Sequence, residues 1–265
     1  PHTMNHHAAR VTARVTARSR RIAAGIVLAA CWIAGGRARA DDVPPPAPAP
    51  AATLAEYGRW VTAADYSRDG QFLVTAGGDS LLYRPGDVIA WRTSDGVRLG
   101  DFTGHPTTVW SVKISDDGRL VATAGYDGLV RVWDVVTRAV KHGLQKHKGW
   151  ARAVAFSPDG KRLASAGEDG TVILWNTADG AEIKQITAHG GPVTAVAFSP
   201  DGGTIATGGG DKLVKLWDAA SGNEKGKLEG HGDALWAVAY SPDGSKLAAA
   251  GADRDRSHSD QSDRG

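Results

Sequence analysis

Cysteine is nearly absent from this chain: Cys31 stands alone among 265 residues. One thiol cannot build a disulfide framework, a zinc knuckle or a redox pair. Methionine is as scarce, and Met4 rather than Pro1 is the expected initiator. Residues 1–40 contain no aspartate or glutamate but seven arginines, so the overall charge of +2 hides an acidic body of 24 basic and 29 acidic side chains over residues 41–265. That body lacks the basic footprint of a nucleic-acid binder. No apolar run reaches the roughly 20 residues of a membrane-spanning helix. Helical periodicity is also missing from the repeating region.

The first forty residues read as a signal peptide. Arginines precede an apolar run over residues 22–34, and Ala38-Arg39-Ala40 places small residues where a signal peptidase inspects the chain, just before Asp41. An exported protein, periplasmic or extracellular and bacterial by the style of its leader, is expected. Two alternatives keep it on the membrane: an uncleaved signal anchor, or a lipid at Cys31, because Leu28-Ala29-Ala30-Cys31 resembles a lipobox. Ser19-Arg20-Arg21 resembles a twin-arginine signal without its following phenylalanine and leucine. Residues 41–53, opening DDVPPPAPAPAA, form a semi-rigid linker.

What the chain has in abundance is self-similarity. SPDG recurs at residues 157–160, 199–202 and 241–244, with SDDG at 115–118, each step being 42 residues. The same step connects Trp133, Trp175 and Trp217, and also His105, His147, His189 and His231. An earlier copy, SRDG at 67–70, precedes the next by 48 residues, and its extra six lie within 80–86, where Leu81, Leu82 and Tyr83 offer an exposed hairpin. Inside each unit apolar residues alternate, as in Ala153-Val154-Ala155-Phe156, and turns follow at SPDG and at Glu168-Asp169-Gly170. Four antiparallel strands in 42 residues make one propeller blade. The expected fold is therefore all-β: a β-propeller of four-stranded antiparallel blades over residues 54–253, four complete and half of a fifth. A polar tail, 254–265, is expected to be disordered.

Gly104-His105, Gly230-His231, Trp133-Asp134 and Trp217-Asp218, with Trp175-Asn176 and Trp91-Arg92 as near matches, resemble the marks of the WD-repeat family. The resemblance covers roughly residues 54–253. It implies a hydrogen-bonded chain of histidine, hydroxyl, aspartate and tryptophan in each unit: His105, Thr123, Asp127 and Trp133; His147, Ser165, Asp169 and Trp175; His189, Thr207, Asp211 and Trp217. The chemistry suits that order. Indole can only donate and carboxylate only accept, while hydroxyl and neutral imidazole do both. The first unit has Thr75, Asp79 and Trp91 but Tyr57 in place of histidine, and the fifth has His231 and Asp253 but Ala249 in place of the hydroxyl. Ser165, His147 and Asp169 also spell a hydrolase triad. The recurrence of such a trio in every complete later unit, and the lack of a G-x-S-x-G elbow, favour structure over catalysis.

The resemblance further implies a partner-binding face at the loops leading into the innermost strands. Carried over by position, that face holds Trp110, Tyr126, Trp150, Arg152, Glu168 and Trp236, types favoured at interface hot spots. Packing between blades is the alternative role for these tryptophans. No catalytic residue, cofactor or metal is expected. Asp253, Asp255 and Ser257 only faintly resemble a calcium loop, with His258 where glycine is needed.

The fifth unit stops after two strands, with Ser259 where the next tryptophan belongs, while Leu54 aligns with Phe102, Leu144, Ile186 and Leu228. An incomplete ring is expected, from a truncated or frameshifted gene product or from an arc completed by another chain. The function expected is a non-catalytic, exported protein-interaction scaffold with protein partners and no nucleic acid. The alternatives are the propeller of a larger exported enzyme or sensor whose catalytic domain lies C-terminally, and an enzyme using the central channel. The innermost strands offer that last reading only Asp65, Lys113 and Arg152.

Overall fold

The computed structural model describes residues 59–79 and 84–252, plus the backbone of two short paired strands, β1 (Thr12–Ala13) and β2 (Ala52–Thr53). The remainder of residues 1–40, the remainder of the linker, Tyr57, Leu81 to Tyr83, Asp253 and the tail lie outside the described residues. All described elements are strands. The first sheet holds β3 (Trp60–Tyr66), β4 (Phe72–Gly78), β5 (Asp87–Arg92) and β6 (Arg98–Asp101). The second holds β7 (Val109–Ile114), β8 (Leu120–Gly125), β9 (Leu129–Asp134) and β10 (Val140–Gln145). The third comprises β11 (Ala151–Phe156), β12 (Arg162–Gly167), β13 (Thr171–Asn176) and β14 (Glu182–Thr187). The fourth comprises β15 (Val193–Phe198), β16 (Thr204–Gly209), β17 (Val214–Asp218) and β18 (Glu224–Leu228), and the fifth β19 (Leu235–Tyr240) and β20 (Leu247–Gly251).

Every neighbouring pair within these five sheets is antiparallel, and the innermost strands touch in chain order, β3, β7, β11, β15, β19. This is the arrangement of successive propeller blades. Strand limits differ from the apolar runs by a residue or two, because pairing continues past the apolar stretch into Gly167 and Asn176.

Turn chemistry explains why SPDG recurs. In the third sheet Ser157 Oγ donates to Asp159 Oδ1 at 2.5 Å, and Gly160 N donates to Ser157 O at 2.8 Å. Gly160 sits at φ +68°, which a side chain rarely adopts. The same Ser–Asp contact closes the turns at Ser67, Ser115, Ser199 and Ser241. The aspartate of the WD pair closes another turn: Asp134 Oδ1 accepts from Val136 N, Thr137 N and Thr137 Oγ1, and Asp218 acts likewise with Ala220 and Ser221.

The core lies between sheets. Small residues of one, such as Ala122 and Ala124, receive bulky residues of the next, Leu163, Ile173 and Trp175. Trp133 packs on Val88, Ala90 and Phe102 of the sheet before it, and Trp217 on the third sheet in the same way. A single blade cannot bury its own faces, so stability grows by stacking. Polar ties supplement it: Lys141 Nζ and Lys184 Nζ each donate to a carbonyl of the following sheet, Thr177 O and Ser221 O. Buried Asp65 joins the first two sheets by accepting from Lys113 Nζ at 3.0 Å and Ile114 N at 2.8 Å.

Candidate interaction face and the buried side-chain chains

In the third sheet Trp175 Nε1 donates to Ser165 Oγ at 2.8 Å, and Ser165 Oγ lies 2.8 Å from His147 Nε2. His147 Nδ1 is 3.2 Å from Asp169 Oδ1, which also accepts from Thr171 Oγ1 at 2.7 Å. With Nδ1–H donating to the carboxylate, Nε2 accepts from the serine hydroxyl, and no member is left unpaired. The fourth sheet repeats this with Trp217 to Thr207 at 2.9 Å, Thr207 to His189 at 2.7 Å and His189 to Asp211 at 2.8 Å. In the first sheet Trp91 Nε1 donates to Thr75 Oγ1 at 2.7 Å. Ser165 is fully buried, so its hydroxyl is a structural link and cannot reach a substrate.

The second sheet departs from this order. Arg131 Nη1 lies 2.6 Å from His105 Nδ1 and 2.8 Å from Asp127 Oδ2. A guanidinium only donates. His105 Nδ1 also lies 3.2 Å from Asp127 Oδ2, and its Nε2 lies 2.7 Å from Thr123 Oγ1, so Arg131 enters the histidine–aspartate link as an added cation. Trp133 Nε1 still donates to Thr123 Oγ1, at 2.9 Å. The spacing of His, Thr, Asp and Trp carries no sign of this. The available signal was Arg131 itself, at the position that Ile89 and Ile173 hold in neighbouring sheets. Burial raises the Asp127 carboxyl, but contacts with His105 and Arg131 lower it by more, leaving it at about 2. Burial depresses His105, and the Arg131 charge depresses it further against the pull of Asp127. Arg131→Ile should therefore raise the His105 titration midpoint. An NMR titration giving an unchanged or lower midpoint would contradict the inserted-cation geometry.

Burial likewise depresses His147 and His189, each against a neighbouring aspartate. All three imidazoles are thus favoured as neutral in the fold, while the unfolded chain takes up protons near pH 6.5. Stability from these groups is complete above about pH 6.5 and is lost as pH falls toward the depressed folded values. The thermal midpoint, followed by circular dichroism, should fall steadily on acidification from pH 7 to 5. A flat profile over that window would refute the buried neutral imidazoles.

The other group of residues is placed by a β-bulge. Each innermost strand slips register once, around Thr62, Trp110, Arg152, Thr194 and Trp236. A bulge leaves one residue outside the ladder and re-aims its side chain. Thr62 and Thr194 use the position to tie sheets together, donating to Val109 O and Leu235 O of the next strand. Trp110 and Arg152 turn to the cluster on the face instead. Tyr126 and Glu168 are brought beside them because their backbone N–H groups bond Thr108 O and Trp150 O of the leading loops.

Five of the six residues expected on the face form one cluster. Tyr126 stacks on Trp150 with centroids 4.3 Å apart, and Trp110 lies 6.4 Å from Tyr126. The Arg152 guanidinium carbon is 4.7 Å from the Trp150 ring centre and 5.3 Å from that of Trp110. Arg152 Nε donates to Glu168 Oε2 at 2.6 Å. All five are half-buried. Trp236 stands apart, 59 % exposed, and among the described residues it makes no ring contact. Asp65 and Lys113 pair with each other and Arg152 with Glu168, which leaves the channel reading without a free acid or base from that trio. No group of metal-ligating side chains occurs among the described residues.

Stacked antiparallel blades, cross-linked inside by tryptophan and bearing an aromatic–arginine cluster at their loops, define a repeat protein of propeller type. A family model, WD domain, G-beta repeat, matches residues 49–83, 96–134, 139–176, 180–218 and 222–255. The chain belongs to the WD-repeat family. It is similar to eukaryotic translation initiation factor 3 subunit I of Aspergillus terreus (37 % identical over 84 residues) and of Botryotinia fuckeliana (31 % over 84 residues). Each match covers 32 % of this chain and 23 % of the relative, so the chain spans about a quarter of the length of the curated relatives it matches. WD repeats suggest a scaffold for protein interaction, and such proteins are typically non-catalytic.

Proposed function

We propose that this chain is a non-catalytic scaffold that holds a protein partner against the cluster of Trp110, Tyr126, Trp150, Arg152 and Glu168, and that its N-terminal leader exports it. The observation carrying the binding face is the bulge. At a position where Thr62 and Thr194 serve the fold, Trp110 and Arg152 are aimed into an aromatic cluster that stays half open to solvent. Large aromatics and arginine dominate the energetics of interface centres. Export rests on the sequence of residues 1–40 alone.

A photo-reactive side chain at position 126 of the full chain, expressed in its own cells, should cross-link a partner. The same group at Lys161, on the opposite turns, should not. Cross-links from position 161 only would move the binding face. A mature N-terminus at Asp41, read by mass spectrometry, is the outcome that fits export. The names of the relatives favour a second reading, a subunit of a translation-initiation assembly. An uncleaved chain that co-sediments with ribosomal subunits would establish that reading in place of the first.

A further inference from the structure

Hydrogen-bond capacity around Arg152 is unevenly used. Glu168 takes the Nε hydrogen, and the two indoles of Trp110 and Trp150 flank the guanidinium. Its terminal nitrogens form no hydrogen bond with any described residue, and its side chain keeps 19 % exposure. A guanidinium so held has little rotamer freedom left to lose, and its free edge presents paired N–H donors spaced for a carboxylate.

Two further observations have the same sign. Lys148, exposed and two residues ahead of Trp150 in the same loop, has an ammonium with no partner among the described residues. The neighbouring cations are engaged: Lys146 with Glu182, and Lys212 with Gly232 O. Trp110, the second residue of β7 and part of the cluster, also carries a buried donor, Nε1, with no hydrogen-bond partner among the described residues. Unpaired buried polar groups cost stability and are rare away from sites completed by something else. The unmet charged capacity is all on the donor side, set among rings that favour apolar contact.

We infer that this face recognises an acidic peptide segment, an aspartate or glutamate flanked by apolar residues, whose carboxylate takes the free edge of Arg152 while its neighbours cover the rings of Trp150 and Tyr126. The inference rests on the cluster being the binding face. A polyanion fits less well, because residues 41–265 carry more acidic than basic side chains, and of the two lysines in the loop leading into β11 only Lys148 lacks an ion-pair partner among the described residues.

A library of random dodecapeptides displayed on phage, selected against the full chain, tests this. Selected sequences should share an aspartate or glutamate next to an apolar residue. Changing that acid to its amide in a synthetic peptide should weaken binding about 10-fold to 100-fold, as expected for a charge-assisted bidentate contact. On Arg152→Gln the acid should vanish from the selected sequences, whereas Lys161→Gln, exposed on the opposite turns, should keep it. Far-UV spectra establish that both variants are folded. Selected sequences without an acid, or the same acid on Arg152→Gln, overturn the inference while leaving the face intact. Displacement of the peptides by a stoichiometric single-stranded oligonucleotide also overturns it. Sequences indifferent to Trp150→Ala sink the face itself.

Discussion

Trp133→Ala should destabilise the protein by about 3–5 kcal/mol, the usual cost of deleting a large buried aromatic. Trp133 is fully buried, packs edge-on against Phe102 at 5.9 Å between centroids, and donates to Thr123 Oγ1. Its loss opens a void between the first and second sheets and leaves Thr123 and His105 with one link fewer. Trp133→Phe keeps much of the volume and removes the N–H, so it should cost about 1–3 kcal/mol, the penalty for an orphaned buried partner. Trp236→Ala, on an exposed side chain, should stay within about 0.5 kcal/mol. Denaturant unfolding followed by circular dichroism ranks the three. Since domains hold only about 5–15 kcal/mol in total, the first variant could lose the second sheet's packing altogether. Equal costs at positions 133 and 236 would mean that the repeated tryptophans do not hold the sheets together.

Trp150→Ala should do the reverse, weakening partner binding by about 2 kcal/mol or more, some 30-fold, with little change in stability. Trp150 is the centre of the cluster, stacked on Tyr126 on one side and against Arg152 on the other. Its removal leaves the guanidinium with one indole face and frees Tyr126 to reorient. Lys161→Ala, exposed at the opposite turns, should leave affinity within about twofold, as expected for a residue outside the interface. Titration of the cross-linked partner, once purified, against the three folded proteins gives both numbers. Loss of affinity at Lys161, or none at Trp150, would assign the partner to another surface.

The repeat made the strands legible, because alternation and turn chemistry are local properties. Ser157, Asp159 and Gly160 bond one another within four residues, so their letters carry their structure. The pairing of Trp175, Ser165, His147 and Asp169 is longer in range, but a fixed spacing repeated in register restricts which side chains can meet. What the letters withheld depends on contacts that no period encodes. Arg131 enters the His105–Asp127 pair only because the chain brings it back across the sheet to 2.6 Å from the imidazole. The bulge at Trp110 and Arg152 likewise arises from pairing. It lifts these two side chains into the cluster on the face, whereas Thr62 and Thr194 at the same position tie sheets together. Trp236 occupies the same bulge and yet stays outside the cluster, because the fifth sheet places Ala252 where the second and third have Tyr126 and Glu168, and no aromatic or acid stands beside it.

The central claim is that recurring tryptophan, hydroxyl, histidine and aspartate side chains are internal links, separate from the face that meets a partner. Hydrogen exchange of the indole N–H groups, resolved by NMR on the intact chain, tests it in one experiment. The indoles of Trp133, Trp175 and Trp217 should exchange only with global or whole-sheet opening, and that of Trp236 at close to the rate of a free indole. Fast exchange at positions 133, 175 and 217 would contradict the account.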